Sequence, residues 1–181
     1  MHRIASFVTL AIILIIIISI LYLPLLLIQK KRGKNVIRQL SHLALFCSVF
    51  LIVFATILLI PLALRVEGHF FNIMPFAWLK EPDIAKMFIE EVVPNIMMFI
   101  PLGIFVPVVF EKTRKFYRTA FIAFLVTFSV EFFQYFIGRS SDIDDIIANL
   151  LGGIIGYGIF RIFNRLLTNK KWWHIFIGEQ Y

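Results

Sequence analysis

The chain has 181 residues, of which 60% are hydrophobic and only 16% charged, and its mean hydropathy is +0.90. A soluble domain is about 45 to 50% apolar and about 25% charged, so this composition excludes a water-soluble globule and calls for lipid. The net charge of +7 does not mark a nucleic-acid partner, because the basic residues punctuate apolar runs, and the single cysteine, Cys47, excludes an intramolecular disulfide or a cysteine-built metal site.

The first apolar run covers 4–28 and is followed at once by Gln29, Lys30, Lys31, Arg32, Gly33 and Lys34. A secretory signal has the opposite polarity and a shorter apolar core of about 7 to 15 residues, so the run reads as a span. A second run covers 43–64, and a third, over 92–110, carries Pro94, Pro101 and Pro107. The fourth covers 119–137 and the fifth 146–163. At about 1.5 Å per residue each crosses or nearly crosses about 30 Å of hydrocarbon. Lipid offers the backbone no hydrogen-bond partner, so each span must be helical. The expected fold is all-α, a polytopic membrane helix bundle of five transmembrane helices forming one domain over 1–181. The long connection over 65–91 is expected on the outer surface, with a short interfacial helix over 82–89.

The basic residues give an orientation. Lys30, Lys31, Arg32, Lys34 and Arg38 fill the loop over 29–42, and alternation puts Lys112, Arg114, Lys115, Arg118, Arg161, Arg165, Lys170 and Lys171 on the same side. The other side holds Arg3, Arg65, Lys80, Lys86 and Arg139. The positive-inside bias therefore predicts the amino terminus outside and the carboxyl terminus inside. In the tail, Trp172, Trp173 and His174 beside lysines suit a membrane interface.

The residues that carry chemistry gather at one end of the later spans. Glu131 lies within the fourth run, where an ionisable group costs at least about 2.5 to 3.5 kcal/mol unless it faces protein or water. Gln134 and Thr127 share its helical face, which must point into the bundle. From Glu131 to Gly138 is about 10 Å of helix, placing the carboxyl about a third of the way in from the outer surface. Arg139, Asp142, Asp144 and Asp145 follow, and Asp145 and Asn149 are i and i+4 on the fifth span. Ala148, Gly152 and Gly156 form a small-residue stripe, with Gly153 beside it, expected to let a neighbouring helix approach closely and bring Asn149 and Asp145 beside Glu131 and Gln134. In the third span Pro101 predicts a kink, and Asn95 enters at the depth of Asn149. For each of these a structural role stands beside the functional one: helix capping for the acids, helix packing for the glycines, interhelical hydrogen bonding for the amides.

Asn95 with Pro101-Leu-Gly103, Glu131-x-x-Gln134, Arg139, Asp142-x-Asp144-Asp145, Asn149 and Gly152-Gly153-x-x-Gly156 together resemble the signature of the VanZ-like membrane protein family. The resembling core covers about 72–163, and the first span lies outside it. The resemblance implies a multi-pass protein of the bacterial plasma membrane, in a family whose namesake gives low-level resistance to the glycopeptide antibiotic teicoplanin. It carries over no catalytic residue.

Three functions follow as expectations. The first is an envelope protein without transport activity, whose outward-facing recess of Asn95, Glu131, Gln134, Arg139, Asp142, Asp144, Asp145 and Asn149 engages membrane lipid, a lipid-linked or cell-wall ligand, or a glycopeptide. The second is a membrane enzyme acting on a lipid phosphate or other headgroup. There Arg139 would grip phosphate, Asp142, Asp144, Asp145 and Glu131 would hold a hard cation such as Mg²⁺ or Ca²⁺, and Glu131 would be the general acid or base. Against it, the cluster holds no nucleophile motif and no histidine, and the acids lack the glycine and distal Glu of a calcium loop. The third is a proton-coupled carrier with Glu131 as relay, although the inverted repeats such a carrier would carry are not evident. No cofactor is expected, and a homo-oligomer through the glycine stripe is conceivable.

Overall fold

The computed structural model describes residues 2–58, 71–137 and 141–179. Its described helices are α1 (His2–Lys31), α2 (Val36–Val53, extended by a π-helical turn over Phe54–Leu58), α3 (Ile84–Val109), α4 (Phe116–Phe136), α5 (Ile143–Leu166) and the short α6 (Lys171–Ile177). The first five are long and apolar enough to cross a membrane, as the hydropathy pattern predicts.

The boundaries differ where a polar residue is used by the fold instead of by solvent. α2 starts at Val36, within the segment read as loop, because Asn35 caps it by accepting from the Ile37 amide at 2.9 Å. The helix expected over 82–89 is not separate from the third span. Asp83 caps it, accepting from the Lys86 amide at 3.0 Å, and the helix then continues through a π turn over Phe88–Val92 into the span. Pro94 cannot donate to the Glu90 carbonyl, and next to that missing bond the Val93 amide reaches one residue further back, to Phe88. α3 runs through Pro101 and Pro107 without ending.

α3 and α5 meet backbone to backbone. A methyl group built on Gly103 would stand 2.1 Å from the Gly153 carbonyl oxygen; on Gly152 it would stand 2.2 Å from that of Ile96, and on Gly156 2.1 Å from that of Ile100. Only glycine fits at such separations. Gly152 and Gly156 therefore face α3, and not the helix that carries Glu131 and Gln134. Gly153, about 100° round the helix, faces α4, where a methyl would meet the Ala123 Cβ at 2.6 Å. Lipid tails are as apolar as leucine, so this close packing, and not removal from water, favours the association. Around it Ile52, Met98, Phe99, Leu102, Val106 and Val130 form the buried core.

At the far end of α3 the helix leaves carbonyls without amide partners, and two arginines take them. Arg38, on α2, donates to the carbonyls of Val108 at 3.1 Å, Val109 at 2.7 Å and Phe176 at 2.9 Å. Arg114 donates to those of Pro107 at 3.3 Å and Ile177 at 2.7 Å and pairs with Glu179. The two guanidinium groups thus clamp α6 against α3, and Trp173 and Ile177 pack there on Val108, Val109 and Phe160. His174 places one ring nitrogen 2.6 Å from the Thr168 carbonyl and the other 2.9 Å from Glu179, and those two acceptors hold its pKa above the ordinary histidine value.

Gly156→Val is expected to lower the stability of the protein in detergent by about 3 kcal/mol or more, because the obstructing atom is backbone and the helices must part. Gly158→Ala, where nothing lies within 4 Å, should be neutral or stabilising by up to about 1 kcal/mol. Thermal melts followed by size exclusion compare the two, and equal behaviour would contradict the close contact.

Candidate functional site

The polar residues converge on the amino terminus of α5. Asp142 is its cap and accepts from the Asp144 amide through Oδ1 at 2.9 Å. The Asp142 amide donates in turn to Glu131 Oε2 at 3.0 Å. Asp145 occupies the third helical position, from which a carboxylate ordinarily reaches back to the cap amide. Here Glu131 of the neighbouring helix takes that amide, and Asp145 accepts from Asn95 Nδ2 on α3. Glu131, only 3% exposed, therefore lies at the amino-terminal mouth of α5. The positive end of that helix helps to stabilise its charge.

Asp142 and Asp144 also bind the long connection. Phe71–Asn72 pairs in parallel with Ser141–Asp142, and Asn72 Nδ2 donates to Asp142 Oδ2 at 3.0 Å. The Asp144 carboxylate accepts from the amides of Phe76, at 2.6 Å, and Ala77, at 2.9 Å. Phe76 has φ +60°, a left-handed conformation that costs a non-glycine residue about 1 to 3 kcal/mol. Two hydrogen bonds to a carboxylate, at about 1.5 to 3 kcal/mol each, outweigh that strain. The turn stays folded because Asp144 holds it.

Deeper in, the amides carry the contacts. Asn149 Nδ2 donates to Thr127 Oγ1 at 2.9 Å, and Gln134 Nε2 donates to the Thr56 carbonyl on α2 at 3.2 Å. A carbonyl can only accept, so the Gln134 nitrogen must face it and the oxygen must point away. Gln134 Oε1 then has no hydrogen-bond donor among the described residues, although the residue is 2% exposed, whereas Asn149, 1% exposed, can turn its amide so that Oδ1 accepts from the Thr127 hydroxyl. An oxygen buried without a donor costs about 1 to 3 kcal/mol.

Of the residues singled out in the sequence, Glu131 meets Asp142, Asp145 meets Asn95, and Asn149 reaches the Glu131 face through Thr127. Gln134 turns to α2. Arg139 lies outside the described residues. The oxygens of Asp142 and Asp144 offered as cation ligands face N–H donors, and no group of three or more His, Cys, Asp or Glu suited to a metal occurs among the described residues. Sequence reasoning missed Asn72 and Thr56. Asn72 stands at the start of the family-like stretch, whereas nothing marks Thr56, which acts through its carbonyl.

Five apolar helices joined by a buried polar network define a polytopic helical membrane protein. The family model described as VanZ/LLP1 matches residues 7–164, and the chain belongs to that family. The match begins within α1 and so takes in the first two spans as well as the motif-bearing stretch. The chain is also similar to Protein VanZ of Enterococcus faecium, 29% identical over 140 residues that make up 77% of this chain and 82% of that protein. No solved structure matches it.

Asp144→Ala is expected to release the turn at Phe76 while the five helices remain. Loss of both bonds should lower hydrogen-exchange protection of the Phe76 and Ala77 amides by about a hundredfold. Unchanged protection would show that Asp144 does not hold the turn.

Proposed function

We propose that this protein is a non-catalytic binding protein of the bacterial plasma membrane, which lowers susceptibility to glycopeptide antibiotics of the teicoplanin type by engaging a lipid-borne or cell-wall ligand at the polar network. The observation that carries this reading is the buried amide oxygen of Gln134, one turn from Glu131 on α4, which has no donor among the described residues. A ligand that offers a hydroxyl or amide donor would satisfy it. The carboxylates act as the frame: Glu131, Asp142, Asp144 and Asp145 each accept from a neighbouring N–H and so hold α3, α4 and α5 around the amides. Membership of the VanZ/LLP1 family and the likeness to Protein VanZ support the antibiotic context.

In the same proposal the network faces outward, with the amino terminus outside and the carboxyl terminus inside. Support comes from the opposite end, where Lys30, Lys31, Arg32, Lys34, Lys112, Lys115 and Arg118 accumulate beside the Arg38 and Arg114 clamp.

Expression in a glycopeptide-susceptible bacterium should raise the teicoplanin concentration needed to stop growth. Glu131→Gln and Asp145→Asn, at wild-type levels in the membrane, should return it to the empty-vector value; resistance retained by both would sink the reading. A fluorescent reporter that folds only in the cytoplasm should light when fused after 179 and stay dark when inserted after 73. The reverse pattern would invert the orientation.

A further inference from the structure

Lys112, Arg114, Lys115 and Arg118, with Glu111, line a niche of about 500 Å³ in the loop between α3 and α4, at the end opposite to the polar network. Every lining residue is charged and four of the five are cationic. The two arginines are built into the fold. Arg114 is held by the carbonyls of Pro107 and Ile177 and by Glu179. Arg118 donates to the Lys112 carbonyl at 2.7 Å, with its guanidinium carbon 5.7 Å from the centre of the Tyr117 ring. By contrast, Lys112 and Lys115 make no described side-chain hydrogen bond or ion pair, and Glu111 pairs with neither. α4 begins beside them at Lys115 without a side-chain cap, so its positive end adds to the same field.

We infer that this niche binds the phosphate of an anionic membrane lipid. Fixed arginines with two uncommitted ammonium groups make a multidentate receptor for phosphate oxygens, in which the lysines act as mobile point charges. A lipid, and not a soluble anion, is indicated by the rim. Phe110, Phe116 and Tyr117 are exposed beside the charges, at the ends of two membrane-crossing helices, where aromatic side chains meet acyl chains and headgroups. The niche thus sits where a headgroup lies while its chains follow the apolar surface of α3 and α4.

The test uses the purified full-length protein in nanodiscs of phosphatidylcholine with a minor share of phosphatidylglycerol, and native mass spectrometry of the lipids that leave with it. Wild type should retain phosphatidylglycerol above its share in the disc. Lys112→Gln with Lys115→Gln should reduce that enrichment about fivefold for each lysine, and Lys112→Arg with Lys115→Arg should preserve it. Lys30→Gln with Lys34→Gln, which removes the same charge from the neighbouring loop, should leave it intact. Equal loss in the two glutamine pairs would show diffuse attraction and overturn the site, as would absence of enrichment in wild type. Thermal stabilisation by inorganic phosphate in phosphatidylcholine discs, abolished by the niche pair, would assign the niche to a soluble anion and overturn the lipid. If the glutamine pair fails to fold, loss of enrichment in Lys112→Ser alone decides in favour, and retention decides against.

Discussion

The contact between α3 and α5 sets the register of everything else. With glycine at 103, 152 and 156, the two helices approach until carbonyl oxygens stand where a side chain would begin. Within hydrocarbon such contact must supply the attraction that water supplies to a soluble core. Once the helices are locked at that depth, Asn95 must fall beside Asp145, and Val108 and Val109 beside Phe160. Both polar ends of the molecule are thus placed by an apolar middle that contains no functional group.

The two ends meet one difficulty with opposite charges. A helix begins with amides and ends with carbonyls that its own ladder leaves unpaired. At the beginning of α5 the partners are carboxylates, Asp142 on its own helix and Glu131 on the next. At the end of α3 they are the guanidinium groups of Arg38 and Arg114, which also take the last carbonyls of α6. Each charge lies at the helix end whose dipole favours it. The charged residues that break the hydropathy pattern are therefore largely the residues that let buried helix ends exist.

That dual use explains what was legible in the sequence. The five spans could be read because hydropathy over twenty residues outweighs any single polar side chain. The start of α2 could not, since Arg38 and His42 resemble a loop until the carbonyls that Arg38 reaches, seventy residues onward, are known. α6 was hidden because its seven residues are fixed by two arginines from other segments. In the candidate site the acids were visible as anomalies, and Asn95 and Asp142, which partner Asp145 and Glu131, stood in the same set, but the partners of Asp144 did not. Asp144 accepts from backbone amides at 76 and 77, which any sequence could provide. The glycine stripe was evident as a packing face, yet which helix it meets depends on how 152, 153 and 156 divide between two faces.

Within the candidate site the acids have partners, and the Gln134 oxygen has none among the described residues. An intramembrane glutamate stands out in the sequence because of its charge, and the default is to give such a charge a task. Here the Glu131 charge already has a donor and a helix dipole beside it. The amide of Gln134 carries no charge, yet its oxygen is buried without a donor among the described residues, at a cost of about 1 to 3 kcal/mol. The carboxylates, each with an N–H partner, tie α3, α4 and the start of α5 together at that end of the molecule.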